Sequence, residues 1–465
     1  MQNKQKINYL HVIQWILILL FGILCISLSL NNNVWTDEAF TMQLLRQNYW
    51  GIILGTATDV HPPLYYLIGK TVQLLFGTSL LVQKLATILP VLLLMIYSIR
   101  VIRRLFDEQV SLLFILMLIA FPAILEYAVQ VRMYTWAMLF VTVCGVTAYD
   151  LYLKPKRSKW IIFTLSGLAA AYTHYFALLS VALIYGYLLI AFIIWRRKEV
   201  KKWFLMSVIT IVAYSPWLVV WIAQLRVVSG GYNIPEITTK TVMSYFDWAF
   251  NTGTPYSKYL FGLLFLLSVG FLTMKLIKKQ NKEDSIYALL MMSVPILTTT
   301  IGVIISVLMT PIFKERYTFP AMALLFLGFA IGLRHIQRIP LFFLGLFMMS
   351  SMAGQYQGTY ELEYLSTKVV ETEAFFEENL QEGDLLVYNF TGFGFIYEYY
   401  FPDNELIYLG DMDFARDFET IWYMDTYNYL YFDDRLLESY QLEKVFVGNY
   451  GIQDDEFKLY KITKK

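Results

Sequence analysis

Asn31 to Tyr66 reads NNNVWTDEAFTMQLLRQNYWGIILGTATDVHPPLYY, and the rest of the chain is organised around it. It follows an apolar run over residues 10–30. It opens with adjacent carboxylates, Asp37 and Glu38, and closes on His61-Pro62-Pro63-Leu64-Tyr65-Tyr66. Loops beyond ~12–15 residues are uncommon unless they are functional or disordered. This one holds too many Trp, Tyr and Leu residues to be disordered. It reads as a structured first loop between membrane helices.

The composition outside it agrees. The chain has 465 residues, 57% hydrophobic and 16% charged, with a mean hydropathy of +0.51. That composition fits a polytopic α-helical membrane protein and excludes an ordinary soluble domain. A net charge of +1 points to no nucleic-acid partner. Cys25 and Cys144 lie inside apolar runs and read as small packing residues. The basic N-terminus and the apolar run after it lack a small-residue cleavage site, so a retained first helix is expected. There is no Walker loop, dinucleotide fingerprint or HExxH motif.

A spanning helix needs ~20 apolar residues. Candidate spans cover residues 10–30, 80–101, 108–125, 133–153, 159–173, 175–195, 203–225, 259–277, 286–309, 317–333 and 339–353, about eleven in all. With the N-terminus inside, the inner loops are 100–107, 154–159, 196–202, 275–284 and 334–338. All five are basic, as the positive-inside rule requires. This holds only if Pro63–Gly77 does not cross. That segment is short, begins with two prolines and carries Lys70, so it is expected to lie in the outer interface. The outer face then displays residues 31–79, 126–132, 173–175, 226–258 and 310–317.

Acids concentrate in the tail. Residues 354–465 hold 23 of the 36 Asp and Glu but only 8 of the 37 Lys and Arg. The expected organisation is a membrane domain over 1–353 and a small extracytoplasmic α/β domain over 354–465. In the tail a helix is expected at Lys368–Leu380, with strands at Asp384–Phe390, Glu405–Leu409, Ile421–Asp425 and Lys444–Asn449.

The unusual polar residues fall in the outer loops, where a functional reading of ionisable groups is the starting point. Asp37 and Glu38 read either as first-turn acids capped by Thr36 or as a general base with its support. Adjacent helical residues point ~100° apart, so one can cap while the other faces a cavity. His61 reads as a solvated helix boundary or as a ring fixed by two prolines for a phosphate or a metal. Glu126 and Arg132 form an interface ion pair with Tyr127 and Tyr134 as anchors, or they add a second carboxylate and a substrate clamp. His174 is an outer-turn histidine, structural or ligand-binding. Lys314, Arg316 and Tyr317 put cations on the outer side, against the charge rule, and suit a phosphate. Glu315 neutralises one of them. A carboxylate wall facing a cationic clamp would suit group transfer to a hydroxyl.

The order WTDEAF, HPPLYYLIGKTVQLLFG, RRLF, EYAVQVRMY, THYF and ERYTFP resembles the membrane-embedded GT-C glycosyltransferases over residues 10–335. The family 39 branch is the one it resembles, with its protein O-mannosyltransferases and aminoarabinose transferases. The resemblance implies transfer of a sugar, hexosyl or pentosyl, from a polyprenyl-phosphate donor to an acceptor hydroxyl outside the cytoplasm, with inversion. Asp37 would be the general base, Glu38 its support and Glu126 a second outer acid. Arg316 would hold the donor phosphate, and His61 stands where relatives carry Lys or His before Pro-Pro. Pro63–Gly77 would be the juxtamembrane helix. Tyr134, Arg132, His174, Lys314 and Tyr317 complete the expected substrate-binding set. The tail does not match the mannosyltransferases' carbohydrate-binding tail, so the acceptor is left as lipid, glycan or protein, consistent with cell-envelope glycosylation. Relatives differ in metal dependence. A divalent ion is compatible with the carboxylates and His61, but no closed ligand set calls for one. The competing class is a non-catalytic transporter or flippase of lipid-linked sugars, which would show repeated halves or broken helices with polar residues at mid-membrane.

Overall fold

The structure is a computed structural model. It describes residues 9–121, 123–229, 234, 236–250, 256–365, 368–381, 383–412, 420–426, 439–449 and 456–465. Parts of the expected outer loop 226–258, and of the tail, lie outside the described residues. The chain forms two compact units: Met1–Ser29 with Tyr49–Gln357, and Leu30–Asn48 with Gly358–Lys465.

The first unit is helical. Its elements are α1 (Tyr9–Leu28), then, past α2 (Thr36–Arg46) of the other unit, α3 (Tyr49–Thr58), α4 (Leu64–Phe76) and α5 (Leu80–Tyr97). A π turn, Ser98–Ile102, leads into α6 (Arg103–Leu105). The series continues with α7 (Glu108–Ala120), α8 (Ile124–Val129), α9 (Tyr134–Leu153), α10 (Arg157–Ala171), α11 (Tyr175–Trp195) and α12 (Val200–Ser229). It ends with α13 (Thr239–Phe250), α14 (Ser257–Ile277), α15 (Lys282–Leu308), α16 (Phe319–Gly332) and α17 (Arg338–Tyr360). Among the described residues eight helices are long and apolar enough to cross a membrane.

The other three expected spans are shorter helices: α7 with 13 residues, α10 with 15 and α16 with 14. Burial in the bundle accounts for α7 and α16. Every residue of α16 is buried, as is every residue of α7 from Val110 to Ala120. Helices apolar on all sides belong in the middle of a bundle, where their length answers to their neighbours. α16 packs against α7, α9, α14 and α15. Gly328 permits the closest of these approaches: a Cβ there would sit 2.1 Å from Met292 Cγ and 3.0 Å from the Ala288 carbonyl oxygen. α4 has 13 residues, short of a span, as expected for Pro63–Gly77. α13 occupies part of what reads as a loop over 226–258.

At the ends of α7, α15 and α16, Arg334 is held by Asp107, by Asp284 at 2.8 Å and by the Phe106 carbonyl at 2.8 Å. Arg104 and Lys159 share Asp150 at 2.8 and 2.7 Å. His11 Nε2 accepts from Trp15 Nε1 at 3.2 Å, and its Nδ1 lies 3.1 Å from Arg103.

The second unit is α/β. α18 (Val369–Asn379) and α19 (Thr391–Tyr400) accompany strands β1 (Leu385–Tyr388), β2 (Glu405–Tyr408), β3 (Thr420–Thr426), β4 (Tyr440–Asn449) and β5 (Glu456–Lys464). The sheet order is β2-β1-β3-β5-β4. β1 runs parallel to β2 and β3, and β5 runs antiparallel to β3 and β4. LLV in β1 and IWYM in β3 are buried without alternation, the pattern of a strand covered on both faces. The strand β5 does not stand out in the sequence, because KLYKITK reads as charged and half-exposed.

The start of the first loop is built into this second unit. Asn31 Nδ2 donates to Glu363 Oε2 at 3.0 Å, and Asn33 Nδ2 donates to the Glu363 carbonyl. The Tyr400 hydroxyl accepts from Val34 N–H at 3.2 Å and donates to the Asn32 carbonyl at 3.0 Å. α2 packs on α19, with the Phe40 and Phe395 rings 5.1 Å apart.

Candidate functional site

The expected site residues fall into two groups, one in each unit. In the second unit, α2 begins at Thr36 and its N-cap is Trp35, not Thr36. Trp35 is extended, and its carbonyl accepts the N–H groups of Glu38 and Ala39, both at 2.9 Å. Glu38 is buried, and its Oε2 reaches back to the Trp35 N–H at 3.3 Å. That is the reciprocal half of a capping box, so Glu38 ties the loop to the helix. Asp37, the next residue around the turn, is half-buried, and its carbonyl accepts the Thr41 hydroxyl at 2.8 Å. Beside this turn, burial and the charges of Glu38 and Glu373 push the Tyr399 hydroxyl up to about 12.

In the first unit the remaining residues gather where four helices begin. His61 precedes α4, Arg132 precedes α9, His174 is the N-cap of α11, and Arg316 sits in the 3-10 turn Glu315–Thr318 before α16. Two loops are stitched together by the Leu64 N–H, which donates to the Tyr172 carbonyl at 3.0 Å. The His61 and His174 rings are therefore 5.9 Å apart. Around His174 stand Tyr134 at 5.8 Å and Tyr317 at 5.3 Å between ring centroids. Tyr127 lies 5.0 Å from Tyr134, and its hydroxyl accepts from Trp248 Nε1 at 3.4 Å. The Arg316 guanidinium is 6.0 Å from the Tyr317 ring, and buried Arg132 donates to the Tyr66 hydroxyl at 3.5 Å.

Electrostatics distinguish these groups. His174 is buried, and its Nδ1 accepts the Phe176 N–H at 3.1 Å, so its proton sits on Nε2. Burial, reinforced by His61, Arg132 and Arg316, lowers its pKa well below the ordinary histidine value and keeps the ring neutral. Burial, Glu126 and Tyr134 raise Tyr127 well above the ordinary phenol value, so it remains protonated. Glu126 is half-buried and accepts from Gln130 Nε2 at 3.2 Å, one helical turn away. Glu315 accepts the Ser244 hydroxyl at 2.7 Å, and Lys314 beside it is half-buried.

The arrangement has a clear chemical sense. Helix N-termini carry partial positive charge and favour anions. Arg132 and Arg316 add full positive charges at the starts of α9 and α16. The neutral Nε2–H of His174 and the phenols of Tyr134 and Tyr317 are further donors. This is chemistry for a phosphate. Among the described residues no group of three or more His, Cys, Asp or Glu side chains could hold a metal ion. A separate aromatic cleft, walled by Tyr149, Tyr152, Tyr187, Trp195 and Tyr287, lies toward the other ends of α9 and α11 and includes none of the expected residues.

Two residues escaped the sequence reading. Asp59 stands 3.0 Å from His61 Nδ1; the signal was its two-residue spacing from the histidine in TDVHPP. Lys84 is fully buried near the start of α5, one turn before Thr87, whose hydroxyl donates to the Ala128 carbonyl of α8 at 2.9 Å. Its signal was an ionisable residue inside an apparent span.

Neither a protein-family model nor a curated protein sequence matches the chain significantly. Solved structures do. The chain is similar to ArnT from Cupriavidus metallidurans in the apo state, with a TM-score of 0.66 and 12% identity. It is equally similar to the same protein bound to undecaprenyl phosphate, with a TM-score of 0.65 and 11% identity. Each comparison covers 97% of both chains, so this polytopic membrane protein has the fold of ArnT.

Proposed function

We propose that this protein is a membrane glycosyltransferase that takes a sugar from a polyprenyl-phosphate donor and places it on an acceptor hydroxyl, with inversion. The observation that carries the reading is the set of cations and donors gathered where α4, α9, α11 and α16 begin. It is supported by the fold, which is that of a protein solved with undecaprenyl phosphate bound. Arg316, Arg132, His61, His174 and Tyr317 hold the donor phosphate, with Lys314 and Tyr134 at its edge. Asp37 takes the proton of the acceptor hydroxyl, and Glu38 holds the turn that carries Asp37. Glu126 supplies the second acid. The acceptor oxygen bonds to the anomeric carbon from the face opposite the phosphate. The bond to the phosphate oxygen breaks, and the prenyl phosphate leaves as an anion that needs no proton. Donors placed on that phosphate stabilise the charge developing on it.

The basic loops support a cytoplasmic N-terminus and an extracytoplasmic tail, which puts transfer on the outer face. The acceptor is a lipid, glycan or protein of the cell envelope. The test is transfer from a panel of radiolabelled polyprenyl-phosphate sugars in membranes holding equal amounts of wild type and Asp37→Asn. Transfer by wild type with a loss of ~10²–10⁴-fold in the variant is expected. Donor binding without Asp37-dependent transfer would move a transporter of lipid-linked sugars ahead.

A further inference from the structure

Asp59 has no part in the roles just given. It lies two residues before His61 in the link from α3 to α4, and its Oδ2 stands 3.0 Å from His61 Nδ1. Pro62 and Pro63 follow immediately, so the backbone on the other side of the ring is stiff. Burial on its own pushes the Asp59 carboxyl up. His61, the Val60 backbone N–H and Arg132 outweigh it and hold the group below the usual carboxylate range. An ionised carboxylate has only acceptors to offer, so His61 Nδ1 must carry the proton between them. That leaves Nε2, on the far edge of the ring, for another partner.

His174, opposite, is fixed in the other sense: its Nδ1 accepts from Phe176, and its proton is on Nε2. The two ring centroids lie 5.9 Å apart, each ring fixed by its own partner. The charged and titratable groups around the two rings are Asp59, Arg132 and Arg316, with Tyr66, Tyr134, Tyr175 and Tyr317.

We propose that Asp59 is a positioning residue for donor binding, fixing the ring angle and proton position of His61 so that Nε2 engages the donor's phosphate. An imidazolium donates at both nitrogens, and in this arrangement each donor has an anionic acceptor: Asp59 at Nδ1 and the phosphate at Nε2. The inference rests on the phosphate-binding reading of the site. Asparagine at 59 would keep the shape but remove the negative charge facing Nδ1–H, so the ring protonated at both nitrogens loses the anion that supports it.

The experiment is a double-mutant cycle on the full chain in lipid nanodiscs, with undecaprenyl phosphate as the probe and thermal unfolding as the check on folding. His61→Ala is expected to weaken binding by about ten-fold or more, the range of a hydrogen bond to a charged group. Asp59→Asn is expected to weaken it comparably, Asp59→Glu to recover most of it, and the double variant to lose no more than His61→Ala alone. Additive losses, or no recovery in Asp59→Glu, overturn the positioning role, since Asp59 would then act apart from His61. Unchanged binding in both His61→Ala and Arg316→Gln overturns the phosphate reading, and this inference with it. Where Asp59→Asn fails to fold, the cycle is read with Asp59→Ala in its place, and Asp59→Glu remains the variant expected to recover binding.

Discussion

Neutral His174 makes stability depend on pH in a way that can be worked out in advance. The ring lies in the turn between α10 and α11, 3% exposed, with Nδ1 committed to the Phe176 N–H. Burial, then His61, Arg132 and Arg316, hold its pKa well below the ordinary value of 6.5. In the unfolded chain the same histidine takes up a proton near pH ~6.5. Below that pH the unfolded state binds more protons than the folded one, so stability rises with pH. The contribution is complete above the unfolded pKa and is lost as pH falls toward the folded one. Between pH 7 and pH 5, with the folded ring still neutral, the loss is about 2 kcal/mol. His174→Asn removes the titration but keeps an N-cap oxygen for the Phe176 N–H. Thermal unfolding in detergent from pH 8 to pH 5 reads the result. The wild type loses about 2 kcal/mol more than the variant on acidification, whatever constant offset separates them at pH 8. Asp59 does not confuse the comparison, because its depressed pKa places its own loss of stability below pH ~4. Parallel pH curves would refute the argument, showing that His174 is protonated in the folded protein or reached by water.

Other substitutions test other parts of the reading. Glu38→Ala removes the side-chain half of the cap on α2 and is expected to cost ~1 kcal/mol. Glu38→Gln keeps the acceptor and should keep transfer activity near wild type, in contrast to Asp37→Asn; equal losses in the two would remove the distinction drawn between the carboxylates. Gly328→Ala forces a methyl against Met292 and the Ala288 carbonyl and should destabilise by ~1–3 kcal/mol, measured as a lowered Tm. Lys84→Met takes a fully buried cation away from its surroundings. A loss of ~1–3 kcal/mol is expected, because a buried acceptor that loses its donor keeps its desolvation cost; a variant as stable as wild type would show that the ammonium is dispensable to the fold.

The class of this protein and most of its elements are legible along the chain. Apolar runs of span length, and basic residues collected in alternate loops, follow from what a bilayer demands of any chain, so they are legible locally. So is the tail's strand pattern, since LLVY and IWYM are too apolar to face water. The site residues were legible as types: His61 before two prolines, Arg132, His174 and Arg316 each just ahead of a helix. What remained for tertiary structure was who meets whom. α7 and α16 read as spans, but their length is set by burial on every side. Lys84 could not be told from a stray charge in a span until α5 packed on α8. The start of the first loop belongs with residues from 358 onward, through Glu363 and Tyr400, more than three hundred positions away. Glu38 became a cap only when Trp35 closed the first turn of α2. Asp59 gained meaning only when its oxygen was seen beside Nδ1. Patterns along the chain report the solvent each residue prefers. A hydrogen bond or an ion pair depends on distances between segments, and those exist only after folding.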